Sequence, residues 1–68
     1  MLTVYSLPTC GKCSMIKGKL TKKNIPFEVC EDISKMQSLG IQGIPCLGLD
    51  NGEIIRDFTK VNSYVNNL

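Results

Sequence analysis

Histidine is absent from this 68-residue chain, so no imidazole is available to relay a proton or complete a metal site. Aromatic residues are scarce, with two Tyr and two Phe, and the charges nearly balance at a net +2. A balance that close to neutral gives no support to a nucleic-acid-binding role. No stretch approaches the roughly 18 apolar residues of a membrane-spanning helix, and there are no repeats, low-complexity segments or linkers. The apolar residues 1–7 lack the basic n-region, long h-region and small-residue cleavage site of a secretory signal. The expectation is therefore one monomeric domain over residues 1–68, in the reducing cytoplasm.

The composition that remains, 43% hydrophobic and 21% charged, is that of an ordinary globular domain. The chain is short. A domain of about 60 residues buries only roughly 60% of its unfolded surface, and such chains often add disulfides or a metal. Four cysteines, at positions 10, 13, 30 and 46, are thus the first residues to weigh. Lys12, Lys17, Lys19, Lys22 and Lys23 fall in one acid-free stretch. Either they form a solvated helix face whose last-turn lysines suit the negative end of the dipole, or they dock an acidic protein partner.

Hydrophobic patterning divides the chain into seven elements. Residues 2–7 are β-branched and aromatic and stop at Pro8, which predicts a strand. From Gly11 to about Asn24 the period turns helical, with Cys13, Ile16 and Leu20 on one face. Pro26 opens a second strand, 27–30. Asp32 is a candidate N-cap for a short helix turning Ile33, Met36 and Leu39 inward and ending at Gly40. Gly43-Ile44-Pro45 breaks the chain before a third strand, 46–49. Asp50-Asn51-Gly52-Glu53 reads as a type I′ hairpin turn into a fourth strand, 53–58. Thr59 is a candidate cap for a last helix through Val61, Tyr64, Val65 and Leu68. The order β-α-β-α-β-β-α implies an α/β fold. Its opening β-α-β gives a parallel pair and its hairpin an antiparallel one, in a mixed four-stranded sheet flanked by helices.

The chemistry centres on Thr9-Cys10-Gly11-Lys12-Cys13, set between a strand and a helix. At a helix start, Cys10 faces unpaired N–H groups and the positive end of the dipole, which favour thiolate over thiol. Lys12 adds a nearby positive charge. Such surroundings lower a cysteine pKa from about 8.5, making Cys10 the expected nucleophile. Cys13, one turn later and more buried, would resolve the mixed disulfide. Gly11 and Lys12 bring no bulk to obstruct a partner. Three other readings stay open: a static local disulfide, a thiolate metal-binding module, and an interaction domain without redox activity. Zinc usually wants four ligands in two knuckles, whereas Cys30 and Cys46 each stand alone, and no metal ligand is assigned.

Tyr5-Ser6-Leu7-Pro8-Thr9-Cys10-Gly11-Lys12-Cys13, followed by Gly43-Ile44-Pro45, resembles a glutaredoxin or a glutaredoxin-like small thioredoxin of the thioredoxin superfamily. The resemblance spans essentially the whole chain in the same element order. It implies a dithiol–disulfide oxidoreductase that reduces protein disulfides as an electron carrier through Cys10 and Cys13. It makes Pro45 a cis-proline lying against the two cysteines, with the backbone of Ile44 pairing with an extended cysteine-containing substrate. Thr9, Gly11 and Lys12 would complete the substrate-binding edge. No cofactor is implied beyond the redox-active Cys10–Cys13 disulfide, with glutathione as a candidate reductant.

The departures from the family pattern bear on that reductant. No basic residue precedes Cys10 in Ser6-Leu7-Pro8-Thr9, and Gly-Lys replaces Pro-Tyr or Pro-Phe between the cysteines. Gly-Ile-Pro stands for Thr-Val-Pro, and the Gly-Gly-x-Asp turn is missing from Asp57-Phe58-Thr59-Lys60-Val61-Asn62. These differences count against glutathione binding. The chain also resembles the small redoxins that serve ribonucleotide reductase and are reduced by a thioredoxin reductase, although it lacks their Ser-Gly-Phe-Arg-Pro segment. Cys30 is expected to pack as a small hydrophobe. Alternation should turn Cys46 away from the Pro45 side, and no acid stands out as a proton acceptor for Cys13.

Overall fold

The computed structural model describes all 68 residues as β1 (Leu2–Tyr5), α1 (Gly11–Lys22), β2 (Phe27–Cys30), α2 (Ile33–Ser38), β3 (Cys46–Gly48), β4 (Ile54–Ile55) and α3 (Phe58–Asn66). The strands form one sheet in the order β2-β1-β3-β4. β1 runs parallel to β2 and antiparallel to β3, and β3 runs antiparallel to β4. This is the mixed α/β arrangement expected from the element order.

The two central strands have both faces covered. On one face Leu2, Val4 and Leu47 meet Ile16 and Leu20 of α1 and Val61 and Val65 of α3. On the other, Tyr5 and Cys46 meet Met36 of α2 and Ile41. The side-chain period of two in a strand sends alternate residues to these two cores.

Two helices end in the same way. After α1, Asn24 takes a left-handed φ of 58°; its N–H donates to Thr21 C=O (3.0 Å) and that of Ile25 to Leu20 C=O (3.0 Å). After α2, Gly40 takes φ 74°; its N–H donates to Gln37 C=O (3.0 Å) and that of Ile41 to Met36 C=O (2.9 Å). This is the Schellman arrangement, in which an apolar residue just past the turn packs back on the helix. Ile25 joins the core that holds Leu20, and Ile41 the core that holds Met36.

Several local expectations are corrected. β1 stops at Tyr5 rather than residue 7, because Leu7 and Pro8 enter a turn closed by Cys10 N–H to Leu7 C=O (3.2 Å). Ile33 points to solvent at 57% exposure, since only the Met36 side of the six-residue α2 reaches the sheet. The hairpin is not type I′, which needs two positive φ angles. Here only Gly52 is left-handed, at 91°, after a turn closed by Gly52 N–H to Leu49 C=O (3.1 Å). Asp57 rather than Thr59 caps α3, its carboxylate accepting from Thr59 N–H at 3.0 Å, so the helix begins at Phe58 and β4 is correspondingly short. Leu68 is exposed.

Candidate functional site: a dithiol at the start of α1

Pro8 sets the local geometry. Its fixed φ suits the second position of the Leu7–Cys10 turn, and that turn delivers the chain to α1 with Cys10 in extended conformation at the N-cap (φ −87°, ψ 112°). The sulfur of Cys10 then does what a Ser or Asp oxygen does at other caps. It accepts the N–H of Cys13 at 3.1 Å, while Ser14 binds the Cys10 carbonyl through both its N–H and its hydroxyl, each at 3.2 Å. Cys10 and Cys13 are joined as a disulfide, with their Cα atoms 5.2 Å apart.

The two sulfurs differ in access. Cys13 is wholly buried, on the same helix face as Ile16 and Leu20, whereas Cys10 is half-buried. Thr9, Gly11 and Lys12 are all exposed around it. The Lys12 ammonium sits 5.1 Å from the centre of the Phe58 ring, a cation–π contact that ties the motif to the first turn of α3.

Pairing register brings a second segment to this end of the sheet. Tyr5 pairs with Cys46, so Ile44 and Pro45 lie beside the residues that follow β1 and lead into Cys10. The Ile44–Pro45 peptide is cis, Pro45 is buried and Ile44 is half-buried. Ser6 lies at the same end, fully buried, with a hydroxyl that has no hydrogen-bond partner.

Cys46 is turned to the opposite face of the sheet from Cys13. Its thiol donates to Gly43 C=O at 3.0 Å and lies 3.7 Å from Arg56 C=O, bracing the turn that carries Ile44 and Pro45. Burial raises the Cys46 pKa above its ordinary value, an effect the nearby Arg56 guanidinium partly offsets. Cys30 packs beside that same core. The four thiols therefore do not converge, and nowhere do three His, Cys, Asp or Glu side chains gather in a way that could hold a metal ion.

Sequence reasoning did not find Phe58, Ser6 or the Cys46 brace. Asp57 ahead of Phe58 was the available signal for the first, since a carboxylate there can cap a helix that opens on an aromatic residue. Nothing local marks the other two, which depend on how β1 and β3 pair.

The glutaredoxin family profile matches residues 2–55. This chain belongs to the glutaredoxin family. A relative from Clostridium pasteurianum, described as an uncharacterized glutaredoxin-like 8.6 kDa protein in a rubredoxin operon, is 40% identical over an alignment covering 88% of each chain. Among solved structures, a glutathione transferase homologue from Sulfitobacter with bound glutathione superposes with a TM-score of 0.79 and 20% identity, over 98% of this chain and 36% of that one. The present chain thus spans little more than a third of that transferase. The thioredoxin-like protein BC3987 superposes with a TM-score of 0.72 and 19% identity, over 96% of this chain and 99% of that one. At these identities the structural likeness speaks for the thioredoxin-like fold. Membership of the glutaredoxin family and the paired sulfurs of Cys10 and Cys13 support a thiol–disulfide redox role.

No helix is long and apolar enough to cross a membrane.

Proposed function

We propose that this glutaredoxin-family protein is a dithiol–disulfide oxidoreductase that reduces disulfides in protein substrates. The carrying observation is the asymmetry of the pair: Cys10 is reachable and caps α1, and Cys13 is buried one turn behind it. In the reduced protein, the Cys13 N–H and the positive end of α1 favour a Cys10 thiolate. That thiolate attacks one sulfur of the substrate disulfide, forming a mixed disulfide and expelling the other substrate sulfur as thiolate. Cys13, once deprotonated, attacks the Cys10 sulfur, releases the second substrate thiolate and leaves the Cys10–Cys13 disulfide. Two electrons pass from the protein to the substrate. In this reading the Ile44 backbone pairs with the extended substrate beside Pro45, and Thr9, Gly11 and Lys12 form the opposite lip.

The oxidised protein must then be reduced. A thioredoxin-reductase type of donor is favoured over glutathione, because the Asp57 carboxylate already caps the N-terminus of α3, beside the Lys12–Phe58 contact. The Gly-Gly-x-Asp turn that helps hold the glutathione γ-glutamyl end in the family is missing here, and the Thr59 N–H is already taken by Asp57. The reducing cytoplasm is the compartment that suits this cycle.

A coupled insulin-reduction assay, run separately with thioredoxin reductase and with glutathione plus its reductase, tests the cycle and its electron source. Cys10→Ser should lower turnover more than about a hundredfold, in line with loss of the attacking thiolate. Cys13→Ser should accumulate a mixed disulfide visible by mass. Full activity in Cys10→Ser would sink the proposal.

A further inference from the structure

The charges are segregated in space, although the net charge is small. α1 carries Lys12, Lys17, Lys19 and Lys22, Lys23 is its C-cap, and α3 carries Lys60, while neither helix contains an Asp or Glu. The two helices form one layer, packed on the same sheet face. The acids lie elsewhere: Glu28, Glu31 and Asp32 at β2 and the start of α2, and Asp50 and Glu53 in the hairpin. The border carboxylate, Asp57, is turned into the N-terminus of α3.

Apart from Lys23, the lysines of this layer have neutral partners or none. The salt bridge between the Met1 amine and Asp50 involves neither helix. Lys19 donates to the side-chain oxygens of Asn62 and Asn66 and Lys12 sits over Phe58, whereas Lys23 donates to the Asn66 carbonyl and to the backbone oxygen of Leu68, the last residue, where a terminal carboxylate offsets its charge. The neutral contacts of Lys12 and Lys19 hold an ammonium in place without cancelling its charge. The result is a layer of one sign with Cys10 at its edge.

We propose that the α1–α3 layer is a docking surface for an acidic segment of a disulfide-bearing protein, which it steers onto Cys10. The inference rests on the redox reading and names its partner class. Other polyanions fit less well. Single-stranded nucleic acid wants exposed aromatic platforms, but Phe58 and Tyr64 are packed against the core. A lipid surface wants an apolar stripe, and Met15 is the one large apolar side chain of these two helices that stands exposed. An acidic peptide needs only complementary charge.

The test uses three synthetic peptides with the same internal disulfide, flanked by Glu, by Ser or by Lys, and the reduced protein in single-turnover mixing. At low ionic strength the Glu peptide should be reduced about tenfold faster than the Ser peptide, the lower end of electrostatic steering, and the Lys peptide more slowly. In about 0.5 M salt the rates should converge as screening shortens the reach of the field. Lys22→Glu/Lys23→Glu/Lys60→Glu should abolish the Glu preference and leave the Ser rate within about twofold, because none of the three touches the dithiol. Equal low-salt rates for the three peptides would overturn the proposal. Binding of single-stranded oligonucleotide or phosphatidylserine vesicles at about 0.15 M salt, with no acidic-peptide preference, would overturn it too. Disulfide-free Ser analogues of the peptides, titrated by NMR, separate the two readings. If the protein reduces no peptide but the acidic analogue still shifts amides of α1 and α3, the surface stands and the redox function falls.

Discussion

The two faces of the sheet are built to different standards. The α1–α3 face has a core of seven buried residues under a twelve-residue and a nine-residue helix. The α2 face has four buried residues under a helix of six. Sulfur is divided between them. Cys10 and Cys13 start the longest helix, whereas Cys30 and Cys46 flank Tyr5 in register on the two neighbouring strands. Two strand spacings, about 9–10 Å, separate those last two backbones, beyond the roughly 7 Å a disulfide tolerates. Position alone thus joins one pair of thiols as a disulfide and keeps the other two apart, Cys46 within the smaller core and Cys30 at its margin.

The largest effect should come from the stronger face. Ile16 is fully buried in the larger core, and Ile16→Ala should cost about 2–5 kcal/mol. At roughly 0.05–0.15 kcal/mol of stability per residue, a chain this short would be left close to unfolded. Met36→Ala on the other face should fall at or below the lower end of the same range, because α2 contributes little else to its core. Urea denaturation of the oxidised variants compares the two. Equal losses would erase the distinction between the faces.

Next in size is an overpacking prediction on the α2 face. A Cβ at Gly48 would lie 3.0 Å from Tyr5 Cε2 and 3.3 Å from its hydroxyl. Both residues belong to central strands, so the ring has little room to retreat, and Gly48→Ala should cost about 1–3 kcal/mol. Tyr5→Leu combined with Gly48→Ala should recover part of that loss, which a double-mutant cycle measures as coupling. Strict additivity would mean that the ring and the glycine do not constrain each other.

Cys46 supplies a pH-dependent contrast. Burial raises its folded pKa above its ordinary value, so between the unfolded and folded values the unfolded chain holds fewer protons. Stability from this group is therefore fully present below about pH 9 and is lost as pH rises through the folded pKa. Thermal melts of the oxidised protein from neutral to alkaline pH should show this decline superimposed on the rest, and Cys46→Val should remove it. An identical alkaline slope in the two proteins would mean that Cys46 is no more shielded than an exposed thiol.

The sequence carried the fold wherever local chemistry and tertiary packing agreed. Cys13, Ile16 and Leu20 shared a helical face and proved to be core; Asp32 and Gly40 bounded α2 as their side chains and φ preferences suggest. It misled where a helix was too short to bury its whole apolar stripe, as at Ile33, or where two caps competed, as at Asp57 and Thr59. The placement of Cys10 at a helix start was legible because Pro8 and the helical period meet there. The pairing of β1 with β3, which brings Ile44 and Pro45 to that end of the sheet, is non-local and leaves no trace in any short window.

The smallest effect concerns the two aspartate caps. Asp57 caps the nine-residue α3, whose Val61 and Val65 belong to the larger core, and Asp32 caps the six-residue α2. Losing either carboxylate to Ala should cost about 0.5–2 kcal/mol where the helix unfolds with the whole molecule. Asp57→Ala should show that cost in the global transition. Asp32→Ala should instead appear as faster amide exchange confined to α2, since a helix resting on one buried Met can open alone. Asp57→Asn separates the cap from its charge. Asn caps about as well as Asp, so stability should hold within a few tenths of a kcal/mol. The carboxylate charge of the cap would nevertheless be gone, and if that charge disfavours glutathione, turnover supported by glutathione should rise severalfold over the parent protein. A rise in Asp57→Asn without a stability change would identify the carboxylate as the discriminating group. No rise would mean that glutathione is turned away by something other than this charge.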